Sequence, residues 1–391
     1  MKNTLTVAQV QMQVVRNKAE NIASACRLIR RAAAQGAELV MLPEMFCCPY
    51  ENSAFRPYGE TLGGPAQQAL SALAGEKKIW IVGGSVPELE GEQVYNTCFV
   101  YNPDGQQVAR HRKMHLFDIR VEGGQSFRES DTLSPGNDIT VFDSPWGKLG
   151  LCICFDLRFE ELARVMTLQG ARAIFVPAAF NMTTGPAHWE LLFRQRAVDN
   201  QLFTFGTSPA RDEQETYVAW GHSIVCDPWG TVLHQCGAGE EVAVTTVDLT
   251  RVEAVRQQLP ILSARREDVY FIGQKDKKDC AIMLKLIQGL KTDIVAPDLN
   301  KDGKIDLLDA LWYLAESSAK VWNYTTGENT DNFYSVKANN YKNATTITYN
   351  GLILTKAVKM ETGTAISFTA PKDGTLTLVA NGGSGKKIKV N

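Results

Sequence analysis

The amino-acid sequence predicts an α/β layered fold over its first 270 residues, and two observations carry that reading. Short, fully apolar runs recur between amphipathic helical stretches. None of these runs approaches the ~18–20 residues that a membrane span needs. Strand, helix, strand in repetition argues for sheets covered by helices rather than for a β-sandwich or a helical bundle.

Leu5 to Val10 reads as the first strand. Residues 18–35 read as a helix presenting Ile22, Cys26, Ile29 and Ala33 on one face and stopped by Gly36. Leu39 to Leu42 is the next strand, apolar throughout, as strands buried on both faces are. Ile79 to Val82, Leu149 to Ile153 and Ala173 to Val176 repeat the pattern. Further on, residues 279–291 and Leu307 to Leu314 read as helical. From about residue 321 the chain is rich in Thr, Asn, Gly and Val, with alternating runs such as Ala365 to Thr369 and Leu376 to Val379, and reads as all-β.

A change in basic residues marks a boundary. Residues 1–270 carry 19 Arg and 6 Lys against 31 acids, whereas residues 271–391 carry 16 Lys, no Arg and 12 acids. The net charge therefore turns from −6 to +4. One domain rarely changes its usage so abruptly, which implies a fusion with its junction near Val269-Tyr270-Phe271.

With 44% hydrophobic and 21% charged residues, the composition is that of a globular protein with a sizeable core. A net charge of −2 without basic clusters gives no face for nucleic acid. Met1 to Gln9 contains no apolar h-region, so no secretory signal is expected. Nine cysteines, eight of them before residue 270, would leave a thiol unpaired in an oxidising compartment. A reducing, cytoplasmic setting is the expectation. The five histidines show no zinc-ligand spacing with the cysteines, and His111 and His115 read as making ordinary polar contacts.

Three segments each place a reactive side chain just past an apolar strand: Glu44 after Leu42-Pro43, Lys113 after Arg112, and Cys154 after Cys152-Ile153. In layered α/β folds the strand ends are where ligand sites form. A cysteine there is a candidate nucleophile when a base and a positive charge approach it. Glutamate can serve as that base, and lysine can lower the thiol pKa and hold an oxyanion. Cys152, Cys47 and Cys48 read as packed core thiols, and Asp156 as ordering the turn after Cys154.

Taken together, these segments resemble the nitrilase superfamily. Lys113-Met114-His115-Leu116-Phe117-Asp118-Ile119, Phe127-Arg128-Glu129-Ser130, Leu133-Ser134-Pro135-Gly136, Gly185 to Leu192, Arg196 to Gln201, Ser208 to Asp212 and Val218 to Ser223 are similar to its ω-amidase branch. The resemblance covers residues 4 to about 270. It implies a four-layer α-β-β-α fold, a homodimer and a Glu-Lys-Cys triad that needs no cofactor. By that pattern Cys154 attacks an amide carbonyl, and Glu44 is the general base. Lys113 and the backbone N–H of Phe155 hold the oxyanion, while Glu129 supports Lys113 and helps to place the substrate. The substrate implied is a short α-keto acid with a terminal amide, such as 2-oxoglutaramate or 2-oxosuccinamate. Arg158 is the candidate carboxylate anchor because a guanidinium grips a carboxylate with two hydrogen bonds. The alternative for Arg158 is a structural ion pair with Glu160 or Glu161. Phe180 and Thr184 match further pocket positions, Tyr50 is expected to close the other side, and Arg194 and Arg196 read as structural.

The sequence after residue 270 divides into a segment at 271–318 and a β-rich module at 321–391. Asp298, Asn300, Asp302, Lys304, Asp306 and Asp309 follow the ligand order of an EF-hand calcium loop, with Gly303 at the sharp turn. This segment resembles the second repeat of a dockerin without the first calcium loop, which implies calcium and at most a doubtful cohesin-type partner. The β-rich module resembles accessory modules of secreted polysaccharide-degrading proteins. A calcium-dependent interaction protein is thus the reading from a different class. The nearer alternative is another branch of the superfamily, acting on carbamoyl or aliphatic amides.

Overall fold

The computed structural model describes residues 1–266, Tyr270 and Ile272, and the backbone of strands within 322–368. Contacts divide the chain into two units, with Met1–Glu267 forming the bulk of the first. That unit runs β1 (Thr4–Gln11), α1 (Lys18–Ala34), β2 (Leu39–Met41), α2 (Asn52–Phe55), α3 (Pro65–Lys77), β3 (Trp80–Val82), β4 (Val86–Glu90), β5 (Gln93–Tyr101) and β6 (Gln107–Arg112). It continues through β7 (Asp118–Arg120), β8 (Ser126–Arg128), β9 (Thr140–Ser144), β10 (Gly147–Leu151), α4 (Glu160–Leu168), β11 (Ala173–Pro177) and α5 (Gly185–Asn200). It closes with β12 (Phe203–Thr207), β13 (Ile224–Cys226), β14 (Val232–Gln235), β15 (Glu241–Asp248) and α6 (Thr250–Gln258).

Two mixed sheets result. One has the order β15-β1-β2-β3-β5-β4 with β6 paired to β5, and the other the order β14-β13-β12-β11-β10-β9. Strands β1, β2 and β3 are mutually parallel, as are β10, β11 and β12, so each sheet has a parallel centre.

Alternation along each strand builds the layers, because successive side chains point to opposite faces. Leu5, Val7, Leu39, Met41, Trp80, Val82, Cys98 and Val100 enter the core shared with the second sheet. Their neighbours Ala8, Val10, Val40, Ile81 and Phe99 pack instead with Leu28 and Ile29 of α1 and Leu70 and Leu73 of α3. On the far side Leu162 and Met166 of α4 and Trp189 and Phe193 of α5 cover the second sheet. Gln9, 1% exposed, bolts the sheets together by donating from Nε2 to the carbonyls of Gly206 (2.7 Å) and Ile224 (3.0 Å).

The strands predicted within the first 270 residues appear within two residues of their expected limits, β10 ending at Leu151 rather than Ile153. The predicted strand Leu376 to Val379 and the predicted helices at 279–291 and Leu307 to Leu314 lie outside the described residues. The buried face of α1 also differs from expectation. Ala25, Leu28, Ile29 and Ala32 are buried, whereas Ile22, Cys26 and Ala33 border them. Asn21 lies on this buried face, where its amide pairs with both the N–H and the carbonyl of Val15.

In the second unit the described backbone is strand: Trp322–Asn323 pairs with Glu328–Asn329, Tyr334–Lys337 with Ala365–Phe368, and Tyr341–Tyr349 with Leu352–Val358. The calcium-loop residues Asp298 to Asp309 lie outside the described residues. No helix among the described residues is long and apolar enough to cross a membrane.

Candidate active site

Each candidate residue follows the end of a strand, and backbone contacts hold it there. Glu44 lies three residues past β2, in a loop clamped to the loop after β3. Ser85 N–H donates to Pro43, and Ser85 Oγ accepts from Met45 N–H. Gly84, at φ +63°, makes this clamp possible, since a Cβ there would stand 2.2 Å from the Pro43 carbonyl oxygen. Lys113 follows β6, with its N–H on the Asn96 carbonyl and its carbonyl accepting from Gly136. Cys154 follows β10 and opens a one-turn 3-10 helix, Cys154–Arg158. Its φ of +47° is a strained value for a residue with a side chain. Phe155 stands in the first turn of that helix, where backbone N–H groups have no intrahelical acceptor.

The side chains converge in a buried cluster. Lys113 Nζ donates to Glu44 Oε1 and to Glu129 Oε1, both at 2.9 Å, and all three side chains are 0% exposed. Its third, looser contact is with the Tyr50 hydroxyl at 3.3 Å. Tyr50 donates to Glu129 Oε1 at 2.5 Å, and Asn96 Nδ2 donates to Glu44 Oε1 at 2.8 Å. Glu129 Oε2 accepts from Phe117 N–H at 2.7 Å. Glu44 Oε2 is buried without a hydrogen-bond partner. One carboxylate oxygen of Glu44 is thus fully engaged and the other is free to take a proton.

The Lys113 charge lowers the Cys154 pKa, as expected of it, but it is not the largest influence on the thiol. Burial and then the Glu44 charge push the thiol well above its ordinary pKa, outweighing Lys113 and the backbone of Ala179. Burial likewise raises Glu44 above the usual carboxylate range, with the Lys113 charge opposing and Glu129 adding to the rise. Burial disfavours a charged Lys113, but Glu129 and Glu44 more than reverse this and hold it protonated. Burial thus raises both the thiol of Cys154 and the carboxyl of Glu44, while Lys113 opposes each rise.

Asp156 does more than order the turn after Cys154. Its carboxylate accepts from Ile153 N–H (3.0 Å) and His115 N–H (2.8 Å), and pairs with the rings of His111 (3.0 Å) and His115 (2.8 Å). Burial opposes its ionisation, yet these two histidine contacts and the Ile153 N–H hold it below the usual carboxylate range. One buried anion thus ties the segment after Lys113 to the segment before Cys154.

Arg158 has no carboxylate partner among the described residues, so the ion pair with Glu160 or Glu161 is absent. Its guanidinium lies 4.9 Å from the Phe180 ring centre and 5.6 Å from that of Phe155, and it meets His188 Nδ1 at 3.3 Å. Thr184 caps α5, with its hydroxyl on Asn181 Oδ1 at 3.1 Å. Tyr50, expected as a pocket wall, does line a cavity of about 50 Å³ with Glu44, Ala179 and Tyr217, but its hydroxyl belongs to the charged cluster. Tyr217 stacks on it at 4.4 Å and hydrogen-bonds the Ala179 carbonyl. Arg196 is structural as read, donating to the Leu157 and Arg158 carbonyls. Asn96, Asn181 and Tyr217 went unforeseen. They lie on elements far apart in sequence, and none sits beside a motif that would single it out.

Comparison with known sequences bears directly on this arrangement. The profile of the carbon-nitrogen hydrolase family matches residues 6–257. The chain belongs to that family. This carbon-nitrogen hydrolase is 49% identical over 273 residues to omega-amidase NIT2 of Mus musculus, covering 70% of this chain and 99% of that protein. It is 47% identical over 269 residues to omega-amidase NIT2 of Homo sapiens, covering 69% and 98%. Among solved structures, Nit3 of Saccharomyces cerevisiae, a member of branch 10 of the nitrilase superfamily, matches with a TM-score of 0.63 at 41% identity, over 68% of this chain and 98% of that one. The NitFhit protein of C. elegans matches with a TM-score of 0.64 at 30% identity, over 69% and 67%. The nitrilase-type fold, the ω-amidase branch and the assignment as an amidohydrolase are thereby established. Residues 318–391 match carbohydrate binding module 77, so the match in the tail is to an accessory carbohydrate module and not to a dockerin.

Proposed function

We propose that this carbon-nitrogen hydrolase releases ammonia from the terminal amide of short α-keto acids, with 2-oxoglutaramate and 2-oxosuccinamate as fitting substrates. The name shared by its mammalian relatives supports the reaction. The observation that carries the substrate class is Arg158, a half-buried cation on an aromatic wall with no carboxylate partner among the described residues.

In this reading Glu44 takes the Cys154 proton as the sulfur attacks the amide carbon. Two of the three Lys113 hydrogens are committed to Glu44 and Glu129, and the third, held only weakly by Tyr50, turns to the oxyanion together with the Phe155 N–H. Glu44 then protonates the departing amine, which leaves as ammonia with a thioester behind. Water, deprotonated by Glu44, cleaves the thioester, and the thiol recovers its proton. Glu129 and Tyr50 keep Lys113 in place.

Arg158→Met tests the pocket. A lost charge-assisted contact of about 2–3 kcal/mol corresponds to roughly 30- to 150-fold in kcat/KM on 2-oxoglutaramate. Hydrolysis of an uncharged amide of the same length is expected to be unchanged. Equal losses on both substrates would remove Arg158 from substrate recognition. A parent enzyme silent on keto-amides but active on carbamoyl amides would remove the substrate class and leave the family intact.

For the remainder of the chain we propose three parts: the hydrolase at 1–270, a calcium-loop segment at 271–318 and a carbohydrate-binding module from about 321. The last rests on the module match. The calcium reading rests on the ligand spacing of Asp298 to Asp309 alone. Retention of the full chain on an insoluble polysaccharide, lost on truncation after residue 270, is the expected result. Equal retention of the truncated chain would refute the module's role. The homodimer implied by the resemblance belongs to the same proposal, and the mass of the chain in solution checks it.

A further inference from the structure

The connection between β14 and β15 leaves one sheet and enters the other, and it carries a side-chain cluster that amide hydrolysis does not use. His234 lies in β14, Cys236 stands just beyond it, and Glu241 opens β15. One donor atom from each lies within 4.8 Å of the other two. His234 Nε2 stands 3.6 Å from Cys236 Sγ and 3.6 Å from Glu241 Oε1. The second distance is too long for a hydrogen bond. It suits two ligands of one ion, since a tetrahedral site with metal–nitrogen and metal–oxygen bonds of about 2.1 Å and metal–sulfur bonds of about 2.3 Å has edges of roughly 3.4–3.6 Å.

We propose that His234, Cys236 and Glu241 form a binding site for a divalent, thiophilic cation of the zinc type. Water fills the fourth position, and the ion ties the edge strands of the two sheets together.

The scaffold around the three residues is already fixed. Cys236 N–H donates to the Ser223 carbonyl (2.8 Å), and His222 Nδ1 meets the Cys236 carbonyl (3.0 Å). Gln11 Nε2 donates to the Gly237 carbonyl (2.7 Å), and Gly237 N–H reaches Glu241 Oε2 (3.3 Å). Cys236 is 3% exposed, whereas the side chains of His234 and Glu241 are 34% and 40% exposed, so the ion enters from solvent on their side. On binding, Cys236 gives its proton to solvent. The thiolate, the Glu241 carboxylate and a neutral imidazole then balance the two positive charges. A soft thiolate selects zinc over calcium or magnesium. Sequence alone hides the site because the third ligand comes from the next strand, so that His234 and Cys236 by themselves make no recognisable spacing.

The test uses the full chain, stripped with a chelator and titrated with zinc alone and then with cobalt(II). Zinc is expected to raise the Tm, and cobalt to produce a sulfur-to-metal charge-transfer band. Both effects are expected to vanish in Cys236→Ser and His234→Gln, while ammonia release is retained. His234→Gln, at a half-exposed position, keeps the test decisive where the buried Cys236→Ser variant fails to fold. A parent chain with no Tm shift and no charge-transfer band overturns the site. So does a response that survives in His234→Gln and Glu241→Gln, because the other cysteines and the acids of the tail are intact in both.

Discussion

In a Lys113→Met variant, turnover is expected to fall by at least ~10²–10³, the usual cost of losing one oxyanion donor. The folded state is expected to lose about 3–5 kcal/mol, because breaking a buried ion pair leaves its partner charges without compensation. Lys113 is the cation between two fully buried carboxylates, and both Glu44 and Glu129 would be left facing Tyr50 and each other. Two measurements separate these effects. Denaturant unfolding reads the stability, and ammonia release reads the turnover. Adding Glu44→Gln and Glu129→Gln to Lys113→Met removes the orphaned charges and should recover most of the lost stability with no activity. If Lys113→Met unfolds like the parent, the cluster is not the buried ion network that its geometry describes.

Cys154→Ala is expected to abolish ammonia release while leaving the fold in place. The thiol is a small part of a well-packed core, and alanine takes the same positive φ at a similar cost. Acid quenching of the parent during turnover should trap a covalent adduct with the mass of the acyl group, absent from the variant. Glu44→Gln should also be inactive, for a different reason: the amide cannot accept the thiol proton, although its contacts with Lys113 and Asn96 can persist in part. Residual turnover in Cys154→Ala above that of an unrelated protein would remove Cys154 as the nucleophile.

The layers of the fold could be read from the chain because its core strands are short and apolar on both faces, as Leu39 to Leu42 and Ala173 to Val176 are. Glu44 and Cys154 could be read because each follows such a strand, whereas Lys113 follows β6, a largely exposed Gln-Val-Ala-Arg-His-Arg strand, and was legible from its motif. What could not be read depends on residues that meet only in space. Asn96 reaches Glu44 across 52 positions, Asp156 reaches His111 across 45, and Glu241 joins His234 only once a turn has closed. The full set of influences on the Cys154 thiol was hidden for a related reason. A nearby lysine is visible in a sequence motif, whereas the depth of burial that outweighs it is a property of the assembled core. The buried face of α1 likewise includes a polar residue, Asn21, whose partner is Val15 in the loop before the helix.

The pairing of β1 with β15, from Thr4 opposite Asp248 to Gln11 opposite Glu241, joins the beginning of the hydrolase unit to its end. During synthesis β1 has to wait for nearly the whole unit to leave the ribosome before its outer edge is covered. Closing so long a loop makes assembly slow, and until then an apolar strand is open to wrong partners. The stitch ends at Asp248, opposite Thr4 at the start of β1, whereas Glu44 follows the other end of the parallel neighbour β2. A chain built this way can acquire a new C-terminal passenger as soon as its last strand has locked the first one in place.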